Sequence, residues 1–346
     1  MTILTFYCPE MNGDEQSSPS ATKPRLVRRA LTEANIPVTV FKPEPVTPET
    51  LSLAHDPEFV KDVLSLETEN GFGTRSEEIA RSLPYTTGAM LSAATAAVKG
   101  QLHSFELPLS QAERAKLDRR ASRAGVDPSV LIRRALFGSD RGRPEAAGPV
   151  AALSSGFHHA GYDSCGGFCT FNGLMVTAMA LLRRHESVSR VAIIDADQHY
   201  GDGTDDIIER LHEEGARFHG PKGPAVVEDA IFHYTFGGEF HTPHQAKEYL
   251  ARMRSLEGDL ATFKPDVLLY QAGADAHRDD PLGGVLSTEE LFERDKILFG
   301  ITRRLEIPVA WNLAGGYQRE PDGSIPKVLE VHVNTFRAAL AEYEGA

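Results

Sequence analysis

Cysteine is scarce: Cys8, Cys165 and Cys169 are the only three in 346 residues, too few for a disulfide framework or a four-thiolate metal centre. No uninterrupted apolar stretch approaches the roughly twenty residues that a spanning helix requires. The N-terminal run Met1-Thr-Ile-Leu-Thr-Phe-Tyr7 lacks the basic flank of a secretory signal. A reducing cytoplasm is the expected compartment. Positive charge is also in deficit, with 36 Lys and Arg against 49 Asp and Glu for a net charge of −13. That excludes broad nucleic-acid affinity from the whole surface, but it leaves a cationic substrate such as a polyamine or a lysine-rich tail unrepelled. Apolar residues make up 41% of the chain, enough to fill the core of one large α/β domain or two ordinary ones.

From residue 149 onward, apolar runs alternate with amphipathic stretches. Strands are predicted over 149–153, 191–194, 229–233, 267–271 and 308–313, and helices over 172–184, 204–214, 245–263, 288–304 and 326–343. Ser287 and Glu290 form a capping pair at the start of the fourth of these helices. The first hundred residues read as strands over 2–7 and 38–41 and helices over 23–34, 57–67 and 86–99, with Gly71-Phe-Gly-Thr-Arg75 as a loop that could border a substrate entrance. Such alternation specifies a mainly parallel sheet covered by helices on both faces.

Charge collects where those strands end. Asp195-Ala-Asp197-Gln-His199 closes the run Arg190-Val-Ala-Ile-Ile194, and Asp275 closes the run that begins at Asp266. Carboxylates and an imidazole beside apolar strands are costly to desolvate unless paired or bound to a cation, and ligands gather at the carboxyl ends of parallel strands. A metal site is therefore expected. The adjacent pair His158-His159 follows the strand at 149, with one imidazole placed for proton transfer. Gly166-Gly167-Phe168-Cys169 offers a glycine turn with an aromatic suited to lining a narrow channel, Gly201-Asp202-Gly203 adds an acid, and Leu313-Ala-Gly-Gly-Tyr317 presents a phenol that could polarise a carbonyl. Cys169 has no specified basic partner and reads as a small buried residue.

Five segments in order, Phe157-His-His-Ala160, Gly166 to Asn172, Asp195 to Thr204, Gln271 to Gly284 and Leu313 to Tyr317, resemble the histone deacetylase family, including its bacterial deacetylase-like proteins and acetylpolyamine amidohydrolases. The resemblance runs from about 149 to 335 and extends more weakly over the N-terminal hundred residues, at His55-Asp-Pro-Glu-Phe-Val60 and the 70–76 loop. It implies a three-layer α/β/α arginase-deacetylase fold spanning 1–346. It also implies hydrolysis of an N-acetyl or other acyl amide, on acetyl-lysine or acetylpolyamine-type substrates. Asp197, His199 and Asp275 would hold one divalent cation, usually zinc, with iron(II) also compatible. A structural potassium ion near Asp195, Asp197 and His199 belongs to the same pattern. A metal-activated water would attack, His159 would serve as general base and then acid, Tyr317 would stabilise the oxyanion, and His158 would position water. Asp195 and Asp202 would orient His158 and His159 respectively. Gly167, Phe168, Phe240 and Leu282 would line the substrate tunnel or its rim. Two positions depart from the family pattern: Tyr200 stands where a second histidine is frequent, and Gln198 where an apolar residue is common.

Asp275-Ala-His277-Arg-Asp279 also imitates the manganese motif of ureohydrolases, which makes a manganese enzyme one alternative, and a non-catalytic acyl-group binder or DNA-tethered regulator another. The segment 101–147 interrupts the family order with a strand-like run (104–109), a helix (111–123) and a second helix (129–137). This order resembles a ribbon-helix-helix module, a small dimeric DNA-binding fold, and its nine basic and six acidic residues give a net +3 in an otherwise acidic chain. The favoured reading is an insertion that packs on its own domain or builds a homodimer, with DNA binding less favoured.

Overall fold

Apolar runs whose alternate residues face opposite ways must be covered twice, and here they are. The computed structural model of the chain describes residues 1–13, 19–99, 115–117, 119–121, 148–220 and 223–344. Strands β1 (Ile3–Phe6), β2 (Val38–Phe41), β3 (Val150–Ala152) and β4 (Val191–Asp195) are followed by a separate antiparallel hairpin, β5 (Arg217–Gly220) and β6 (Gly223–Val226). β7 (Ile231–Thr235), β8 (Val267–Gly273) and β9 (Val309–Ala314) complete a seven-stranded sheet in the order β2-β1-β3-β9-β8-β4-β7. Every pairing in that sheet is parallel.

In β4, Val191 and Ile193 join one core cluster while Ala192 and Ile194 join the other; in β8, Val267 and Leu269 oppose Leu268 and Tyr270 in the same way. The first cluster lies under helices Glu77–Lys99 and Gly173–Arg184, and the second under helices Ala246–Phe263, Thr288–Arg304 and Pro326–Glu344. Burying each large aliphatic side chain contributes about 1.5–3 kcal/mol, so the three layers are held from both faces of the sheet. Among the described residues no helix is long and apolar enough to cross a membrane.

All seven expected strands of this sheet are present, although the one expected over 229–233 lies at 231–235. The β5–β6 hairpin was not expected, because Arg217-Phe-His-Gly and Gly223-Pro-Ala-Val have neither strict alternation nor β-rich composition. The helix expected from Thr86 begins at Glu77 and passes through Pro84, whose carbonyl accepts a hydrogen bond from Val46 N. The insertion at 101–147 lies outside the described residues except for 115–117 and 119–121, which are helical.

Buried His55 fastens the segment before helix Pro57–Leu64 to the loop at 161–172. Its Nδ1 is 2.8 Å from Gly161 O, and its Nε2 accepts from Asn172 N at 2.8 Å. A ring that donates from one nitrogen and accepts at the other must be neutral. Burial drives its pKa down from 6.5 to about 4, against the pull of the Gly161 and Tyr162 backbone. A depressed folded-state pKa means that this contribution is complete above pH 6.5 and is lost as the pH falls toward 4. At about 1.4 kcal/mol per pH unit it amounts to about 3 kcal/mol. Urea unfolding of wild type and His55→Gln between pH 7 and pH 4.5 should show a shallower pH dependence in the variant; parallel curves would remove His55 from the acid response.

Candidate metal and catalytic site

The parallel register aligns Asp195 of β4 with Gln271 of β8, and Gln271 with Asn312 of β9, so a row of polar side chains closes the carboxyl end of the sheet. Gln271 Nε2 donates to Asp195 Oδ1 at 3.1 Å, and Gln271 Oε1 accepts from Phe157 N at 3.0 Å. Asp195, Gln271 and Asn312 are fully buried, and these bonds satisfy atoms of Asp195 and Gln271 that would otherwise be costly there. The residues beyond the row form the site.

Asp197, His199 and Asp275 each bring a donor atom within 4.8 Å of the others. His199 Nδ1 is 3.2 Å from Asp197 Oδ1 and 3.1 Å from Asp275 Oδ2. Both carboxylates are almost wholly withdrawn from water, at 2% and 0% exposure. Hydrogen bonds to Asp197 and Asp275 push the His199 pKa up to about 11, whereas burial and the charge of Asp197 push Asp275 up to about 7. Such a group demands positive charge. The surrounding backbone leaves room for it: a Cβ on Gly315 would lie 2.0–2.3 Å from the Asp275 carboxylate, and one on Gly273 2.4 Å from Asp197 Cα. Two hard carboxylates with one imidazole suit a divalent ion such as zinc or iron(II), so the donor set fits the expected metal.

The two adjacent histidines face this group. His158 Nδ1 lies 2.6 Å from Asp195 Oδ2, with its Nε2 3.6 Å from Asp197 Oδ1. Burial disfavours its charged form, but Asp195 and Asp197 outweigh that effect and hold its pKa up at about 9. His159 Nδ1 lies 2.6 Å from Asp202 Oδ1; if Nδ1 carries the proton, Nε2 is the basic atom. Burial and the neighbouring His158 charge lower the His159 pKa despite Asp202. The ring centroids of His158 and His159 are 4.1 Å apart, those of His159 and His199 5.9 Å, and those of His199 and Tyr317 6.2 Å. Tyr317 follows Gly315 and Gly316, both in the left-handed region at φ 43° and 90°, and Asp280 Oδ2 accepts from its backbone N at 2.7 Å. Burial, reinforced by the carboxylates of Asp197 and Asp275, raises the phenol pKa, so the hydroxyl remains a donor.

Phe168 stands between Tyr317 and Phe72, with ring centroids 5.7 Å from each. The loop carrying Phe72 docks through Phe168 N to Gly71 O at 3.0 Å, which places the 71–75 loop beside Phe168. Leu282 is exposed (52%) and its backbone N is held by Asp280 at 3.0 Å. Phe240 is different. It packs against Phe236 and Tyr249, with centroids at 5.8 and 5.2 Å, and belongs to the buried core. One helical turn separates Phe236 from Phe240, whose N donates to Phe236 O at 3.1 Å, so both rings point inward and the expected tunnel role is corrected.

Gly167 acts by what it omits. At φ 52°, a Cβ there would lie 2.4 Å from His159 Cδ2. Gly167→Ala is expected to displace the His159 ring and lower kcat about 100-fold, the scale of an ångström misplacement, and also to lower the melting temperature, because an alanine at this positive φ is strained. Steady-state kinetics with wild-type kcat in the variant would show that the ring is not crowded.

The remaining departures have structural partners. Gln198 Nε2 donates to Phe240 O at 2.9 Å and Gln198 N to Asp275 Oδ1 at 3.1 Å. The Tyr200 hydroxyl donates to Asp205, which pairs with His233 Nδ1 at 2.7 Å. His277 has both ring nitrogens engaged: Nδ1 accepts from Gln318 Nε2 at 2.9 Å and Asp279 N at 3.2 Å, and Nε2 lies 3.0 Å from Thr288 Oγ1. It is absent from the three-donor group, the one such group found among the described residues. The second cation site of the manganese alternative therefore gains no support from His277.

Sequence reasoning missed Lys23, Gln271, Asp280 and Arg294. Lys23 is buried and donates through Nζ to Gly315 O behind Asp275; burial lowers its pKa to about 8 against the attraction of Asp275 and Asp197. No local signal marks it, since a lysine in an amphipathic helix ordinarily faces solvent.

The chain matches the histone deacetylase domain over residues 19–335. It is 32% identical over 203 residues to acetylpolyamine amidohydrolase of Burkholderia pseudomallei strain 1710b, covering 54% of each protein. It is 30% identical over 178 residues to acetoin utilization protein AcuC of Bacillus subtilis strain 168, covering 48% of this chain and 45% of that protein. The chain thus spans about half the length of these curated relatives in the matched regions. The crystal structure of acetylpolyamine aminohydrolase from Burkholderia pseudomallei superimposes with a TM-score of 0.64 at 17% identity, covering 99% of both chains. The HD domain of HDA15 gives a TM-score of 0.66 at 18% identity, covering 99% of this chain and 89% of that one. These likenesses show a shared fold.

Proposed function

The chain belongs to the histone deacetylase family, and from that premise we propose that it hydrolyses the amide of an N-acetylated primary amine carried on an extended alkyl chain. The reading rests on one observation: the three-donor group of Asp197, His199 and Asp275 faces His159 and the Tyr317 phenol within a single wall of rings. A divalent ion bound there would supply Lewis acidity to the amide carbonyl and to a water beside it.

The chain's own groups account for the remaining chemistry. His159, anchored by Asp202, takes a proton from water at Nε2 and returns it to the departing amine. The Tyr317 hydroxyl donates to the oxygen on which negative charge develops. His158, held against Asp195, supplies a fixed donor and positive potential beside them. As the C–N bond breaks, carboxylate and free amine form. Phe168, backed by Phe72, would form one wall of a channel suited to a methylene chain, and the net charge of −13 favours amines that carry further positive charge. The similarity to acetylpolyamine amidohydrolase supports the same substrate class.

Acetate release from zinc-loaded protein, measured over acetyl-lysine peptides and acetylated polyamines, tests this reading. Turnover concentrated in one set names the amine. No turnover on either, with one equivalent of metal bound, overturns the deacetylase assignment in favour of acyl-group binding.

A further inference from the structure

Arg294 lies in helix Thr288–Arg304, behind the sheet, with no exposed surface. Its Nη1 donates to Ala196 O at 3.0 Å and to Gly273 O at 2.8 Å. Ala196 separates Asp195 from Asp197, and Gly273 precedes Asp275 by two residues. These carbonyls stand where β4 and β8 end and the two carboxylate-bearing loops begin. Arg294 Nε donates to Asp295 Oδ1 at 2.8 Å, and Asp295 Oδ2 accepts from Thr335 Oγ1 at 2.6 Å on the last helix. Tyr270 of β8 also donates to Asp295. One guanidinium therefore grips both loops, while its own orientation is fixed by a carboxylate fastened to a strand and a helix.

Burying such an ion pair carries a heavy desolvation cost, and packed apolar groups often replace one without loss of stability. Stability alone is thus a weak reason for a guanidinium here. A planar fork that reaches two carbonyls and a carboxylate together is a better one, because an ammonium point charge cannot reproduce that geometry. We propose that Arg294 is a positioning residue that sets the spacing of the loops carrying Asp197 and Asp275, and through it the affinity of the site for its divalent ion. The inference rests on the metal reading above.

Zinc dissociation constants of the full chain, obtained by competition with a chromophoric chelator, and melting temperatures of the metal-stripped protein test it together. Arg294→Lys is expected to weaken zinc binding about 10–100-fold, the usual cost of losing an outer contact to a metal site. Thr335→Val removes one bond to Asp295 without touching either carbonyl, and the Tyr270 hydroxyl still holds the Asp295 oxygen that meets Arg294; it should lower the melting temperature and leave zinc affinity unchanged. Wild-type affinity in folded Arg294→Lys overturns the proposal, as does a matching loss in Thr335→Val, which would make affinity follow stability. If Arg294→Lys does not fold, Arg294→Met/Asp295→Asn takes its place under the same criterion, and failure of both to fold assigns Arg294 to the fold alone and overturns the positioning role. Wild type that binds no zinc overturns the metal reading itself; wild type that binds zinc beside an unshifted variant overturns only the positioning role.

Discussion

Asp197→Ala is expected to abolish stoichiometric metal binding and lower turnover at least about 10³-fold. The scale follows from Lewis-acid stabilisation worth several kcal/mol, each 1.4 kcal/mol being about tenfold in rate. Asp197 meets His199 Nδ1 at 3.2 Å, accepts from His199 N at 3.0 Å, and lies 3.6 Å from His158 Nε2. Its removal therefore takes away a proposed ligand and loosens the imidazole beside it. The effect on the metal-free fold should be far smaller. Asp275 is held above its ordinary range by burial and then by the charge of Asp197, so removing that charge relieves repulsion while the bonds to histidine are lost. Two melting curves separate these effects: zinc should stabilise wild type by mass action, by about 2.7 kcal/mol at a hundredfold excess over Kd, and so raise its melting temperature, and should leave that of the variant where it was. Metal bound at one equivalent with unaltered turnover would remove Asp197 from the ligand set.

The site was legible because its side chains follow apolar runs in short, dense strings. Asp195 to His199 leaves β4, His158 and His159 leave β3, Asp275 leaves β8 and Tyr317 leaves β9. In a parallel sheet these ends converge on one edge, so linear order carried spatial information. Asp195 with His158 and Asp202 with His159 were paired from the family resemblance, and the structure brings each pair to 2.6 Å. What stayed hidden reaches the site from elsewhere. Arg294 and Lys23 approach from helices on the far side of strand-end loops, and nothing in a helical period distinguishes a buried cation from a solvated one. Gln271 lies within an apolar strand, where its role depends on its register with Asp195. Phe240 misled for the opposite reason: an aromatic after Gly237-Gly238 has the same local sequence whether it lines a channel or turns inward, and only its tilted packing against Phe236 and Tyr249 decides.

Tyr317→Phe is expected to lower kcat by about 10²–10³ while leaving KM and zinc affinity near wild type, the signature of an interaction made only as the oxyanion forms. The substitution removes one oxygen and keeps the ring. Packing against Phe168, at a centroid distance of 5.7 Å, and the edge contact with His199 at 6.2 Å both survive it. So does the tether from Tyr317 N to Asp280, because that bond is made by the backbone. Stability should accordingly change little, and the lost rate can be assigned to the missing donor. The pH dependence adds a second check. Burial and the carboxylates of Asp197 and Asp275 hold the phenol protonated far above neutrality, so its ionisation should not shape the profile between pH 6 and 9, and the variant should keep the wild-type profile at a lower height. A changed profile in Tyr317→Phe would mean that the hydroxyl exchanges a proton during turnover and is more than a fixed donor, whereas unchanged kcat would place oxyanion stabilisation elsewhere, with His158, whose Nε2 lies 3.6 Å from Asp197 Oδ1, the next donor to test.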